Sequence, residues 1–233
     1  GYIMNETILI TGANRGIGLA LTKLSLLKDL NVEACCRSIH KSDELKALSS
    51  QYPNLNIHEL DVTSSSSIIK VSNVIQVEID ILVCNAGVNN GKGDLFSDNH
   101  DEESILDVMM VNVGGPFLTI KNFYKNLKKN NGSRVAIISS LMGSQTHTSK
   151  NAPIYRASKA AANNLMRTLS NQLNQEGISV ASYHPGWVRT DMGGDRADIS
   201  PEESAQGLLA QFMDLNANVS GSFFNYDGNK LPL

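Results

Sequence analysis

Short apolar runs alternate with longer amphipathic stretches along most of this 233-residue chain. Thr7–Thr11 is short and apolar enough for a buried strand, and leucine and isoleucine then recur at helical spacing over 16–28. The same alternation predicts further strands at 32–36, 55–60, 79–84, 134–139 and 178–183, with one more near the C terminus. It predicts further helices at 42–50, 64–76 and 102–129, from Pro153 to a stop at Gly177, and from Pro201 onward.

Strands that are separated by helices pair in parallel, through right-handed crossovers that place helices on both faces of the sheet. The predicted fold is therefore α/β, a doubly wound (Rossmann-type) parallel sheet of about seven strands, and ligands bind at the carboxyl ends of such strands. We find no repeat and no linker, so residues 1-233 are predicted to form a single domain. Gly1 to Ile3 precede Met4 and are left out of the fold prediction as a candidate expression remnant.

Composition narrows the classes of partner. The chain is 41% hydrophobic and 18% charged with a net charge of −3, so we expect no nucleic-acid surface. No apolar run approaches the roughly 20 residues that cross a bilayer, and no signal peptide leads the chain. The expectation is a cytoplasmic protein without a membrane partner.

Cysteine and histidine spacing argues against disulfide and metal sites. Cys35 and Cys36 are neighbours on one predicted strand and so point to opposite faces, while Cys84 ends another strand. We expect buried, reduced thiols. His58-Glu59 lacks the second histidine of a zinc-binding helix, and the other histidines do not cluster, so no metal site is predicted.

A glycine-rich turn, Gly12-Ala13-Asn14-Arg15-Gly16-Ile17-Gly18, joins the first strand to the first helix. Glycines allow the backbone to turn tightly and approach a pyrophosphate, whose charge is favoured at a helix N-terminus. The spacing G-x-x-x-G-x-G differs from the common G-x-G-x-x-G fingerprint. We interpret the turn as a dinucleotide site; the alternative is a turn that binds no phosphate.

The end of the second strand distinguishes the two nicotinamide dinucleotides. An acid there would accept from the ribose 2′-hydroxyl of NAD, whereas an arginine can bind the 2′-phosphate of NADP. Arg37 stands there, the nearby acid Glu33 lies at the other end of the strand, and Arg15 adds a second cation. We therefore predict NADP(H) over NAD(H). The alternative is that Arg37 is an ordinary surface residue.

Tyr155 and Lys159 lie four residues apart at the start of the predicted helix that begins at Pro153. Residues four apart share a helix face, so phenol and ammonium can reach one cleft. A nearby cation favours the phenolate and is expected to lower the tyrosine pKa, which would make Tyr155 a proton donor and acceptor near neutral pH. An exposed tyrosine beside a solvated lysine is the alternative.

Several short motifs occur in order along almost the whole chain, and together they resemble the classical short-chain dehydrogenase/reductase family. These motifs are Thr11-Gly12-x-x-x-Gly16-x-Gly18, Asp61-Val62, Asn85-Ala86-Gly87, Asn112, Ser140, Tyr155-x-x-x-Lys159 and Pro185-Gly186. Within the family, the segments 155–161, 184–194 and 223–228 resemble the branch of C-factor and sniffer-type carbonyl reductases.

The resemblance implies an NADPH-dependent oxidoreductase that acts on a carbonyl or alcohol substrate. Tyr155 would exchange a proton with the substrate oxygen as the general acid/base, and Lys159 would bind the nicotinamide ribose and lower the Tyr155 pKa. Ser140 would donate a hydrogen bond to the same oxygen, and Asn112 would hold a water beside Lys159.

The resemblance also implies the outline of a cofactor site. Asp61 would accept from the adenine amino group, Asn85 and Gly87 would line the cofactor, and Thr190 would bind the carboxamide. The complete set of cofactor-binding residues predicted is Gly12, Asn14, Arg15, Gly16, Ile17, Gly18, Arg37, Asp61, Val62, Asn85, Ala86, Gly87, Tyr155, Lys159, Pro185, Gly186, Val188 and Thr190.

The chain departs from the family in the distance between serine and tyrosine. Ser140 and Tyr155 are fifteen residues apart, against about thirteen in many members, so the loop 141–152 is longer. Ser139 is the alternative donor, because successive strand residues point to opposite faces. Loops 141–152 and 191–199 are the expected substrate walls, and Trp187 is either a pocket wall or a core residue.

The sequence leaves two interpretations of function and two of assembly. A regulatory or C-factor-like signalling protein that binds NAD(P) with little turnover is the alternative to the reductase. The alanine-rich stretch 157–162 would allow close packing in a homodimer or tetramer, as family members usually associate. Packing of that stretch against its own sheet is the other interpretation.

Overall fold

The computed structural model describes residues 5–130 and 132–233, so the expectation about Gly1 to Ile3 lies outside the described residues. The strands are β1 (Thr7–Thr11), β2 (Asn31–Cys36), β3 (Leu55–Glu59), β4 (Ile81–Cys84), β5 (Arg134–Ile138), β6 (Ser179–His184) and β7 (Phe223–Asn225). They form one sheet in the order β3-β2-β1-β4-β5-β6-β7, and every neighbouring pair is parallel. The order reverses between β1 and β4, which is where such sheets bind ligands.

Helices cover both faces of the sheet, as predicted. They are α1 (Gly16–Leu27), α2 (Asp43–Gln51), α3 (Ser65–Val74), α4 (Glu102–Met109), α5 (Gly115–Phe123), α6 (Pro153–Leu173) and α7 (Pro201–Asp214). Leu21 of α1 and Phe212 of α7 pack in the core on one face, while Ile68 of α3 and Met166 of α6 pack in the core on the other. The predicted doubly wound fold is therefore confirmed. Among the residues that the structure describes, no helix combines the length and apolar character needed to cross a bilayer.

The single helix predicted over 102–129 is wrong. A π-helical turn, Met110–Gly114, separates α4 from α5, and a short 3₁₀ turn at Tyr124–Asn126 ends the segment. Pro116 has no N–H to donate to the carbonyl of Asn112, so the regular α-helical bond at that point cannot form. Beyond the 3₁₀ turn, Leu127 leaves the helix and pairs with Ile79 in an isolated parallel bridge.

Both predicted ends of the helix that carries Tyr155 are confirmed. Pro153 is the first residue of α6, a 3₁₀ turn at Asn174–Glu176 continues the helix beyond Leu173, and Gly177 follows that turn with a left-handed φ of +78°. Ala152 precedes the helix with a φ of +54°, which strains a residue that has a Cβ. Its N–H donates to the carbonyl of Gly93 at 2.7 Å, so a contact with another loop holds the turn that leads into α6.

Candidate active site

The carboxyl ends of β1 and β4 are joined by the side chains of Thr11 and Asn85. The Thr11 hydroxyl oxygen accepts from the N–H groups of Asn85 at 3.0 Å and Ala86 at 3.1 Å. The Asn85 amide donates in return to the carbonyls of Thr11 at 3.1 Å and Gly12 at 3.2 Å. These bonds fix Asn85, Ala86 and Gly12 at the reversal of strand order, as expected for walls of a ligand crevice.

The glycine-rich turn requires glycine at particular positions. Gly12 and Gly16 have φ values of +62° and +53°, and a Cβ on Gly18 would lie 2.1 Å from the Gly12 carbonyl oxygen. No side chain caps the N-terminus of α1, and no acid stands in its first turn. The free N–H groups and the close backbone therefore suit a pyrophosphate, and the predicted contributors Asn14, Arg15 and Ile17 lie in the same turn.

The two cations that the sequence singles out, Arg15 and Arg37, follow β1 and β2. Arg15 and Arg37 are exposed, and neither guanidinium is bonded to another group within 5–130 and 132–233. Glu33 is buried and paired with His58 at 2.6 Å and Asn56 at 3.1 Å, so it is occupied away from the strand end. The cations are thus available to a ligand and the acid is not.

Asp61 and Val62 follow β3 in a well-bonded turn. One carboxylate oxygen of Asp61 accepts from the N–H of Thr63 at 2.9 Å and from its hydroxyl at 2.7 Å. Val62 is buried, and a Cβ on Gly115 would lie 3.0 Å from its methyl group, so the turn packs tightly on α5. The backbone of this turn is therefore fixed beside the crevice.

The segment from Pro185 to Thr190 crosses from β6 toward the glycine-rich turn. Gly186 has a φ of +86°, and the carbonyl of Pro185 accepts from Ser204 at 2.6 Å. Val188 is buried and forms a bridge to Ile199. A Cβ on Gly16 would lie 3.4 Å from the Thr190 methyl group, so Thr190 lies beside the glycine-rich turn.

Tyr155 and Lys159 share one face of α6 and both are buried, with 8% and 6% of their surfaces exposed. Lys159 Nζ lies 5.6 Å from the centre of the Tyr155 ring and donates to the Ile138 carbonyl at 3.1 Å. Burial lowers the pKa of Lys159 to about 8. Burial raises the pKa of Tyr155 to about 12, against a smaller lowering by its contact with the Ser140 hydroxyl.

The predicted lowering of the Tyr155 pKa is therefore wrong for the protein alone. An enclosed phenolate loses its hydration, and this desolvation outweighs the attraction of a lysine whose own charge is disfavoured by the same burial. Burial shifts the pKa of both side chains away from its value in water.

Ser140 and Ser139 have different partners, as alternation along a strand requires. The Ser140 hydroxyl faces Tyr155 and accepts from the N–H of Met142 at 3.1 Å. The Ser139 hydroxyl is buried and donates to the carbonyl of Lys159 at 3.4 Å. Of the two, Ser140 is the serine that adjoins the phenol.

Asn112 lies in the π-helical turn and is almost fully buried. Its amide oxygen accepts from the Val88 N–H at 2.9 Å, and its amide nitrogen donates to the Val88 carbonyl at 2.9 Å and to Ser158 at 3.1 Å. A Cβ on Gly87 would lie 3.4 Å from Asn112 Oδ1 and 3.6 Å from Lys159 Nζ. Gly87 therefore lies between Asn112 and Lys159, and its lack of a side chain leaves the space between them open.

The loop 191–199, one of the two predicted substrate walls, is bonded to neighbouring segments. Trp187 is 53% exposed and donates from its indole to the Gly193 carbonyl at 3.0 Å, so it is not a core residue. Lys92 donates to the Met192 carbonyl at 3.2 Å, which links the loop after β4 to the 191–199 loop. A recess of about 460 Å³ lies against residues Arg189, Thr190, Asp191, Gly194 and Asp195.

Two residues of the site were missed from the sequence. Thr11 holds the ends of β1 and β4, and Ser158 receives Asn112 while donating to the Tyr155 carbonyl at 2.7 Å. Thr11 directly precedes Gly12 and Ser158 directly precedes Lys159, and these positions within the motifs could have indicated that both residues belong to the site. Within the described residues no group of three or more histidine, cysteine or acidic side chains is placed to bind a metal ion; the metal-free assignment stays a prediction.

A sequence profile of the family described as short chain dehydrogenase matches residues 6–200. C-signal of Myxococcus xanthus is 36% identical over 165 residues, covering 69% of this chain and 96% of that protein. The profile match therefore extends from β1 through β6 and ends just before α7.

Two solved structures share the fold over nearly their full lengths. The carbonyl reductase Sniffer of D. melanogaster has a TM-score of 0.92 and 28% identity, covering 99% of this chain and 100% of that chain. The NADPH-bound carbonyl reductase from chicken fatty liver has a TM-score of 0.90 and 31% identity, with the same coverage. These two structural relatives are carbonyl reductases, and this chain belongs to the short-chain dehydrogenase/reductase family of oxidoreductases.

Proposed function

We propose that this protein is an NADPH-dependent reductase of aldehydes or ketones that also runs in reverse as an alcohol dehydrogenase. As a member of its family it binds a nicotinamide cofactor and acts on a small molecule. The observation that carries the proposal is the meeting of Tyr155, Ser140 and Lys159 next to Gly87, at the edge of the sheet where the glycine-rich turn lies.

The preference for NADP(H) is supported by the two free guanidinium groups. Arg15 and Arg37 would hold the 2′-phosphate, while the N-terminus of α1 would hold the pyrophosphate. Asp61 would hold the adenine, and Lys159 and Thr190 would hold the nicotinamide end. The chicken carbonyl reductase, a structural relative, carries NADPH.

The chain's own residues would manage the proton and the charge on the substrate oxygen. A bound nicotinamide cofactor supplies or accepts the hydride. Tyr155 would give its proton to the carbonyl oxygen, and Ser140 would donate a hydrogen bond to the same atom. Burial keeps Tyr155 protonated up to a pKa of about 12, so in reduction it enters as the acid.

Lys159 and Asn112 would complete the path of the proton. The Lys159 pKa of about 8 lets this amine gain or lose a proton near neutral pH. The Asn112 side chain is bonded to Val88 and Ser158, and Pro116 cannot donate to the Asn112 carbonyl. That carbonyl is the group we propose to hold the water beside Lys159.

The test is NADPH oxidation over a panel of aldehydes and ketones with wild type and Tyr155→Phe. Loss of a general acid is expected to lower kcat by about 10²-fold or more while cofactor binding persists. Tyr124→Phe is the matched control, because that hydroxyl bonds Glu176 on the surface. A wild type that binds NADPH but reduces nothing, or a fully active Tyr155→Phe, would contradict the proposal.

A regulatory or signalling protein with little turnover is not favoured. Such a protein would have no need of a buried Lys159 beside Tyr155 and Ser140, since burying an amine is unfavourable. The similarity to C-signal does not by itself assign a signalling role to this chain.

Assembly and location are proposals of the same kind. Ala157 is exposed on α6 while Ala162 is in the core, so one side of the alanine-rich stretch packs on its own sheet and the other is open. We propose a homodimer or tetramer, which light scattering at micromolar concentration tests against a monomer. A cytoplasmic location is in keeping with three free, buried cysteines.

A further inference from the structure

We propose that His184 is a positioning residue that holds Ser140 in place for catalysis by accepting a hydrogen bond from the next peptide group. This inference rests on the proposed reductase function. His184 is the last residue of β6, and its Nδ1 accepts from the N–H of Leu141 at 3.0 Å. Leu141 directly follows Ser140, so the imidazole bonds the backbone one residue away from the hydroxyl that faces Tyr155.

The turn after β5 makes Ser140 depend on this contact. Residues Leu141–Gly143 form a 3₁₀ turn that Ser140 caps, with its hydroxyl accepting from Met142 and its carbonyl accepting from Gly143 at 2.9 Å. The Leu141 N–H lies at the start of the turn, where no intrahelical acceptor is available. His184 supplies that acceptor and ties the turn to the neighbouring strand.

The chemistry of the imidazole suits an acceptor. Nδ1 can accept only when it carries no proton, so the neutral ring must hold its hydrogen on Nε2. Burial, with His147 nearby, lowers the pKa of His184 to about 4. The acceptor therefore persists at physiological pH, and the ring is set as one tautomer by the Leu141 N–H.

Loss of the acceptor would leave the Leu141 N–H unpaired and free the turn. Ser140 would then sample orientations that do not face the substrate oxygen, and a small displacement of a catalytic group is enough to slow a reaction. Pro185 and Gly186, which follow His184, are predicted cofactor-binding residues, but a substitution at 184 changes only the side chain that bonds Leu141, so NADPH affinity should change little. The expected signature is a fall in kcat with cofactor affinity unchanged.

The test compares His184→Asn with His184→Leu. The asparagine oxygen falls near the position of Nδ1 and keeps an acceptor, whereas leucine keeps the volume and removes it. We expect kcat for carbonyl reduction to fall about tenfold in His184→Leu and to stay within about threefold of wild type in His184→Asn. NADPH affinity, followed by fluorescence, should match wild type in both.

A double-mutant cycle with Ser140→Ala identifies the route of the effect. If His184 acts through Ser140, adding His184→Leu to Ser140→Ala lowers kcat no further. Two effects that multiply, or an asparagine variant as slow as the leucine one, would overturn the proposal.

Hydrogen exchange at the Leu141 amide separates this inference from the proposed function. Protection should persist in wild type and His184→Asn and be lost in His184→Leu, whatever the activity. Equal protection in all three overturns the contact itself. A wild type inactive on the whole carbonyl panel overturns the reductase function and the catalytic role of the contact. The exchange pattern then still shows whether the hydrogen bond from Leu141 to His184 exists.

Discussion

Burial acts in opposite directions on the two titratable side chains of the site. It raises the pKa of Tyr155 to about 12 and lowers that of Lys159 to about 8, because each neutral form is favoured once water is excluded. The phenol therefore stays an acid while the amine becomes the group that titrates near working pH. We therefore expect the pH dependence of proton transfer to follow the Lys159 pKa and not that of Tyr155.

The lowered pKa of Lys159 should make carbonyl reduction depend on pH. Since the Lys159 pKa is lowered, its ammonium is present below about pH 8 and lost above it, earlier than for an exposed lysine. We expect kcat/KM for carbonyl reduction to fall above about pH 8, and this limb to move upward in Lys159→Arg, whose side chain stays charged. Lys121→Arg, at an exposed position, should leave the limb in place. A profile flat from pH 7 to 10 would contradict the assignment.

Arg37 should decide the choice of cofactor. Arg37→Ala removes a guanidinium that would pair with the 2′-phosphate, and charged hydrogen bonds of this kind are each worth about 1.5–3 kcal/mol. We expect the KM for NADPH to rise about tenfold or more while the KM for NADH changes little. Arg167→Ala is the control, because that exposed arginine lies on α6 and is not one of the predicted cofactor-binding residues. A wild type that prefers NADH would defeat the assignment.

At the scale of an element, one side chain bonds the loop 141–152 at three points. The Arg156 guanidinium donates to the carbonyls of Asn151 and His147 at 2.8 Å each, and to that of Met142 at 3.4 Å. All three acceptors are backbone groups of the loop that joins Ser140 to α6. Arg156 therefore fixes the shape of a predicted substrate wall without itself reaching the reacting atoms.

Arg156→Ala should release this loop. Three hydrogen bonds are lost, so local opening becomes more frequent and the exposed Lys150 bond more accessible. We expect a lysine-specific protease to cleave after Lys150 about tenfold faster, and the KM of the carbonyl substrate to rise more than kcat falls. Arg167→Ala again serves as the control. Unchanged cleavage at Lys150 would show that the loop is held by other contacts.

The strands and their functional ends were predictable because short apolar runs dictate them. Thr7–Thr11 and the helical spacing that follows were enough to place the glycine-rich turn at the carboxyl edge of the sheet. The i, i+4 pairing of Tyr155 and Lys159 is a property of any helix, so their common face was predictable as well.

Features that depend on packing were not predictable in the same way. The apolar period runs unbroken through 102–129 and hides the π-helical turn, although Pro116 after two glycines was a usable signal. The direction of the Tyr155 pKa shift depends on how completely the sheet and loops enclose it. The grip of His184 on Leu141 joins residues that are 43 positions apart, and no local pattern encodes it.

At the scale of the whole molecule, the cofactor site depends on the sheet being intact. The predicted binding residues follow β1, β2, β3, β4 and β6, so no single unit of the chain contains the site. Two cores hold these strands in register, with Cys36 in one core and Cys35 and Cys84 in the other. Cofactor binding and global stability should therefore be coupled, since a ligand that binds only the folded state stabilises it.

The three cysteines report that coupling. All are free and buried, and burial raises the pKa of Cys84 to about 12 and that of Cys35 well above its usual range, so a thiol reagent can reach them only when the protein opens. We expect Ellman's reagent to label native protein very slowly and all three thiols at once in denaturant. NADPH at about 100 times its Kd should slow native labelling by up to about 100-fold. Arg37→Ala at the same NADPH concentration should lose much of that protection, and labelling that ignores NADPH in wild type would mean that the strands open without dismantling the cofactor site.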